Sequence, residues 1–130
     1  MSRRSILALT PVFVATIAAG HVAVPPVQQG LASFYGKGFH GKRTSTGERF
    51  DQNKLTAAHP SYPGGTILKV TNLENQRSVT VRVTDRGPAR RIRRKGVILD
   101  LSKAAARRLA IIEEGVVLVR VEVVRTKAGG

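Results

Sequence analysis

The chain has 130 residues and 42% hydrophobic content, enough for one domain with its own core and too few for a second large one. Its 22 Lys and Arg against 8 Asp and Glu give a formal charge of +14, a field that attracts polyanions generally: nucleic acid, anionic lipid or acidic wall polymers. Cysteine is absent, which excludes disulfides, thiol nucleophiles and Cys-ligated metals and leaves no thiol for a lipid anchor.

The first stretch has the layout of a secretory signal peptide. Arg3 and Arg4 precede an apolar run from Ile6 to Ala19, and the small residues Ala18, Ala19 and Gly20 follow. The run is interrupted by Thr10, Pro11 and Thr16 and falls short of the roughly 20 residues that a membrane span requires. Residues 1–23 are therefore read as a signal peptide, 24–29 as a linker, 30–124 as the folded domain and 125–130 as a flexible tail. Export to the periplasm or to the extracellular wall is the expected fate, with no stable membrane anchor after cleavage. A protein sent out of the cytoplasm meets wall polymers before it meets chromosomes, so nucleic acid is not an expected partner.

From Leu31 onward the apolar residues come in strand-length bursts rich in Val, Ile and Thr: Leu31–Tyr35, Thr66–Thr71, Ser78–Thr84, Val97–Leu101 and Val116–Val124. Period-2 alternation is clear in Val79-Thr80-Val81-Arg82-Val83 and in the run from Val117 to Val123, so each of these strands presents one face to a core. Glu74-Asn75-Gln76-Arg77 lies between two bursts and reads as a hairpin turn. One segment departs from the β pattern. Ser102 as N-cap, followed by Lys103-Ala104-Ala105-Ala106-Arg107-Arg108-Leu109-Ala110, predicts a short helix that ends before Gly115. Many short strands and one helix predict a small barrel.

Cleavage of a glycosidic bond requires a carboxyl group that can give or take a proton at the bridging oxygen. Glu74, Glu113 and Glu114 read as solvated charges, Asp51 as a turn residue, and Asp100 as a residue that favours the following helix or holds the barrel together. Asp85 ends a strand and is followed at once by Arg86-Gly87-Pro88, a sharp bend that predicts a carboxylate at a barrel mouth. Read alone it is equally a turn cap. Glu48 lies in the polar loop Thr44-Ser45-Thr46-Gly47-Glu48, and His59 in Ala57-Ala58-His59-Pro60 also reads as a core or capping histidine. The histidines lack the spacing of a metal site, and no phosphate-binding glycine loop or serine elbow is present, so neither a metal nor a cofactor is expected.

Taken in order, Gly30-Leu31-Ala32-Ser33-Phe34-Tyr35-Gly36, Phe39-His40-Gly41-Lys42-Arg43-Thr44-Ser45-Thr46-Gly47-Glu48, Leu55-Thr56-Ala57-Ala58-His59, Val81-Arg82-Val83-Thr84-Asp85-Arg86-Gly87-Pro88 and Leu99-Asp100-Leu101-Ser102-Lys103-Ala104-Ala105 resemble the RlpA family. The resemblance runs from about Gly30 to Val124. It implies a mainly β fold, a six-stranded double-psi β-barrel with one short helix, shared with expansins. It also implies an endolytic lytic transglycosylase that cuts peptidoglycan between N-acetylmuramic acid and N-acetylglucosamine without water. That reaction leaves a 1,6-anhydro end, and the family prefers strands stripped of stem peptides.

Carried over residue by residue, the resemblance makes Asp85, Glu48 and His59 the catalytic set. Asp85 is the proton donor and acceptor, while Glu48 and His59 orient the sugar and the carboxyl. Tyr35, Thr44 and Arg86 are expected to bind substrate, Tyr35 by stacking on a sugar ring. The sequence departs from the family's usual pattern at Phe34, at Ala89 after the D-R-G-P motif and at Val97. Peptidoglycan glycan is the expected partner of a monomeric protein. The dense basic stretch from Arg86 to Arg108 reads either as a solvated basic face or as a surface for retention on anionic wall polymers. The alternative from a different class is a non-catalytic, expansin-like module that binds or loosens the wall.

Overall fold

The computed structural model describes residues 26–126, so the expected signal segment 1–23 and the last four residues lie outside it. Six strands and two short helices follow in the order β1 (Val27–Phe34), β2 (Thr56–Ala58), β3 (Ile67–Asn72), β4 (Ser78–Asp85), α1 (Arg90–Arg93), β5 (Val97–Leu101), α2 (Lys103–Arg108) and β6 (Val117–Arg125). The strands close into a barrel in the order β1-β5-β2-β4-β3-β6. The pairs β1/β5 and β2/β4 are parallel, and the other four are antiparallel. This is the six-stranded double-psi barrel that the motifs imply, and closure leaves no open sheet edge.

Three differences from the expected elements have simple causes. β1 starts at Val27, inside the segment read as linker, because Val27–Gln29 pair with Glu122, Val121 and Arg120 of β6. β2 is only Thr-Ala-Ala, buried at every position, and so shows neither a long β-branched run nor alternation. α1 is a second helix of a single turn, Arg-Arg-Ile-Arg, which has no apolar periodicity and no buried residue to betray it.

The core follows the period-2 patterning. Val79, Val81 and Val83 of β4 and Val117, Val119 and Val121 of β6 point inward with Leu68, Val70, Leu99 and Leu101. Ala105, Ala106, Leu109 and Ile111 from α2 and the turn after it complete this core. Truncating a fully buried leucine such as Leu99 to alanine should cost about 2–5 kcal/mol. Ser102 caps α2 as expected: its Oγ accepts from Ala105 N at 3.3 Å and donates to Lys54 O at 2.6 Å. At the other end of α2, Asn72 and Asn75 donate side-chain amides to Leu109 O at 3.0 and 3.1 Å, which ties the helix to the β3–β4 hairpin. The tight turn of that hairpin places Gln76 at φ 64°.

Candidate active site

A break in the strand pattern sets up the site. Along β4 the inward residues are odd-numbered, and strict alternation would send Asp85 into the core behind Val83. Instead the parallel register between β2 and β4 shifts at Ala57/Ala58: Ala57 pairs with Val83 and Ala58 with Asp85, leaving Thr84 as the extra residue. An extra residue flips the side chains after it to the other face. Asp85 thereby turns out of the core series. On its other side Ala58 pairs with Asp100 of β5, so two aspartates from two strands flank the same alanine.

Asp85 is held by three donors. The Tyr35 hydroxyl donates to its Oδ2 at 2.8 Å, while the backbone N–H groups of Ser45 and Arg86 donate to Oδ1 at 3.0 and 2.9 Å. Each donor has a structural reason to be there. Tyr35 continues β1, its N–H bonded to Leu101 O at 2.9 Å, and its ring stacks on Phe50 at 4.2 Å and meets the edge of Phe39 at 5.3 Å. Ser45 sits at the tip of a small loop drawn together by the Arg43–Arg49 bridge and by Thr44 N and Oγ1, which donate to Glu48 O at 2.9 and 2.8 Å. The loop fits against the following segment because Gly64 has no side chain: a Cβ there would stand 2.5 Å from the Thr46 methyl.

Asp100 lies beside this cluster. Ser33 Oγ donates to its Oδ1 at 3.2 Å, and its carboxyl is pushed up to about 6, chiefly by burial and further by the charge of Asp85. The Tyr35 phenol is raised too, first by burial and then by its hydrogen bond to Asp85. Sequence reasoning assigned Asp100 to the helix or the barrel, since the strand register that brings it to Asp85 has no local signature.

The other expected site residues are distributed around Asp85 by different means. Glu48 makes a bidentate ion pair with Arg82, at 2.9 and 3.0 Å, which holds its carboxyl below the ordinary glutamate range. His59 contacts Asp85 through the backbone, His59 N donating to Asp85 O at 3.1 Å. Its ring is buried and both nitrogens are engaged. Nδ1 accepts from the N–H groups of Ser61 and Tyr62, each at 3.0 Å, so Nε2 carries the hydrogen and donates to Gln28 Oε1 at 2.8 Å. Burial pushes the imidazole down to about 4, and the ring stacks on Tyr62 at 3.9 Å. His59 thus supports the wall made by Ser61 and Tyr62. Thr44 spends its hydroxyl inside the loop, and the stacking partner of Tyr35 is Phe50. Arg86 is exposed beside Asp85.

Three clefts adjoin along this face. The middle one, about 260 Å³, is lined by Ser45, Thr46, Tyr62, Gly64, Asp85 and Arg86. A second, about 560 Å³, shares Thr46 and Gly64 with it and reaches Glu48 and Arg82. A third, about 440 Å³, shares Arg86 and continues past Pro60 to Arg90 and Arg93. The result is an open groove with a hydrogen-bonded carboxyl near its middle, a shape suited to an extended polymer. Among the described residues no three of His, Asp and Glu come together as a metal site.

Comparison with known proteins gives a consistent picture. Residues 27–121 match the family model described as lytic transglycolase. The chain is similar to the endolytic peptidoglycan transglycosylase RlpA of Campylobacter jejuni, 56% identical over 79% of this chain and 36% of that protein. It is similar also to a probable endolytic peptidoglycan transglycosylase RlpA of Synechocystis, 52% identical over 76% of this chain and 30% of that protein. The chain therefore spans about a third of the length of these curated relatives. Among solved structures, a Streptomyces papain inhibitor superposes with TM-score 0.61 at 23% identity, covering 85% of this chain and all of that one. The expansin of Clavibacter michiganensis superposes with TM-score 0.58 at 24% identity, covering 76% of this chain and 50% of that one. At such identities these two structures establish a shared barrel.

Proposed function

The chain belongs to the lytic transglycolase family that includes the RlpA proteins, and from that premise we propose that it is an exported endolytic lytic transglycosylase. It acts on peptidoglycan in the periplasm or the extracellular wall and cuts glycan strands, preferentially stem-free ones, between N-acetylmuramic acid and N-acetylglucosamine. The observation that carries the proposal is the position of Asp85, midway along the open groove and fixed by Tyr35, Ser45 and Arg86. Clefts that adjoin the Asp85 cleft on both sides suit a strand bound through its interior, and so an endolytic cut.

In the first step the Asp85 carboxyl gives its proton to the glycosidic oxygen as the bond from that oxygen to C1 of the muramic residue breaks. In the second, Asp85 as carboxylate takes the proton from the 6-hydroxyl of the same residue as O6 bonds to C1. No water is consumed, and the ring closes as the 1,6-anhydro sugar. One group serves both steps because they are sequential. Tyr35 and the two backbone donors fix the direction of the carboxyl. Glu48 and Arg82 line one arm of the groove, and His59 acts at one remove by holding the Ser61–Tyr62 wall.

The test is to incubate the protein and its Asp85→Asn variant with stem-free glycan and to look by mass spectrometry for anhydro ends. The variant should release them at least about 10³-fold more slowly. Wild-type release from the variant would overturn the assignment. Binding without anhydro ends from the unaltered protein would point to the non-catalytic, expansin-like reading. The basic stretch from Arg86 to Arg108 is proposed to retain the protein on anionic wall polymers. Retention on purified wall should then fall as salt rises past about 0.15 M, where the screening length is about 8 Å.

A further inference from the structure

The arm of the groove beyond Arg86 is chemically unlike the rest. Its lining residues include three arginines, Arg86, Arg90 and Arg93, and no acidic residue. Arg90 and Arg93 are three apart on α1 and so share a face, and the first turn of α1 carries no acidic residue. Four arginines elsewhere on the barrel are tied down. Arg82 and Arg120 pair with Glu48 and Glu122, and Arg43 and Arg49 donate to the carbonyls of Gly47 and Gly41 at 2.7 and 2.9 Å. The side chains of Arg86, Arg90 and Arg93 have no such partner among the described residues. Like charges gathered on a concave surface repel one another, and a bound anion relieves that repulsion. A planar carboxylate matches the guanidinium fork.

We propose that Arg86, Arg90 and Arg93 form a carboxylate subsite that recognises the free lactyl carboxylate of a muramic acid residue and so selects strands from which the stem peptide has been removed. The inference rests on the glycan reading of the groove. In a stem-free strand the lactyl group on O3 of each muramic residue ends in a carboxylate, whereas in a stem-bearing strand that carboxyl is an amide and uncharged. The carboxylate sits on the same ring whose C1 reacts. Arg86 borders both the Asp85 cleft and the arginine arm, and so links the reacting centre to the subsite.

The experiment uses the full chain and two preparations of stem-free glycan, one with free lactyl carboxylates and one with the same carboxyls converted to methylamides. Affinity for each is measured by calorimetry, and anhydro ends are counted separately. The unaltered protein should bind the free-carboxylate glycan at least about tenfold more tightly, the size of one charge-assisted pair. Arg90→Gln/Arg93→Gln should bring that ratio close to one. Arg94→Gln/Lys95→Gln removes the same charge from residues just past the arm and should keep most of the preference. Equal affinity of the unaltered protein for both glycans would overturn the subsite. So would an equal loss of preference in the two double variants, which would mean a diffuse field. Because the ratio is read from binding, a protein that discriminates yet releases no anhydro ends would sink the enzymatic reading alone. Anhydro ends released without discrimination would sink the subsite alone.

Discussion

Asp85 and Asp100 occupy matching places, one on each side of Ala58, and yet their surroundings differ in kind. Asp85 has three donors and faces an open cleft. Asp100 has one donor, Ser33 at 3.2 Å, and is buried enough that its carboxyl is pushed up to about 6. The barrel delivers two carboxyls to one place, and the donors supplied by Tyr35, Ser45 and Arg86 distinguish them. Three donors fix the direction of the Asp85 carboxyl toward the cleft, whereas burial with a single donor suits a group, Asp100, that keeps its proton into the mildly acidic range. The first two substitutions below act on the members of this contrast, and the third on the groove beside them.

The largest effect belongs to Asp85→Asn, the loss of about 10³-fold or more already described, because under the proposed mechanism the variant has no carboxyl to shuttle the proton. Asp100→Asn should be smaller, about tenfold in kcat/KM, and should change the shape of the pH profile. The Asp100 carboxyl, beside Asp85, is pushed up to about 6, so the pH profile of the unaltered protein should show an inflection there. Asp100→Asn should lack it. Persistence of that inflection in the variant would assign it to another group. Smaller again is Glu48→Gln, which breaks an ion pair whose side chains are 36% and 40% exposed. Its cost in stability should stay within about 1 kcal/mol. A rise of a few-fold in KM with kcat unchanged, measured on stem-free glycan, is the expected signature of a residue that lines the groove away from the reacting bond.

Much of this arrangement was legible from the sequence because strand bursts and the barrel core share one physical cause. Alternating valines in β4 and β6 announce both the strands and the face they bury. Ser102 followed by three alanines announces α2 and its cap. What stayed hidden depends on register. Thr84 looks like any other β residue, and nothing local marks it as the bulge that turns Asp85 outward. Asp100 becomes a neighbour of Asp85 only through Ala58, which belongs to a three-residue strand too short and too buried to announce itself. The motif containing His59 was readable, but the direction of its ring was not, since Gln28 and the Ser61–Tyr62 turn come from distant or irregular backbone. Tyr35 reads as an aromatic platform until Phe50 is seen stacked on it and its hydroxyl on Asp85.

The last prediction sets Asp100 against His59, because their titrations act on stability in opposite directions over the same pH range. Burial lowers the folded-state value of His59 from 6.5 to about 4, so between these values the unfolded chain holds the extra proton. His59 therefore contributes stability above about pH 6.5 that is lost as pH falls toward 4, worth about 3 kcal/mol for a shift of that size. Asp100 has its folded-state value raised from 3.8 to about 6, so here the folded chain holds the extra proton. Its buried charge costs stability above pH 6, and about 3 kcal/mol returns as pH falls through 6 toward 4. The two slopes oppose each other, and their joint contribution should be nearly flat between about pH 4 and 6. Asp100→Asn removes the compensation, so its stability relative to the unaltered protein should decline by roughly 1.4 kcal/mol per pH unit on acidification through that window. Urea unfolding of both proteins at pH 4.5, 5.5 and 6.5 measures the difference. A constant offset across the three values would mean that Asp100 titrates alike in the folded and unfolded chains, which would undo the contrast with Asp85.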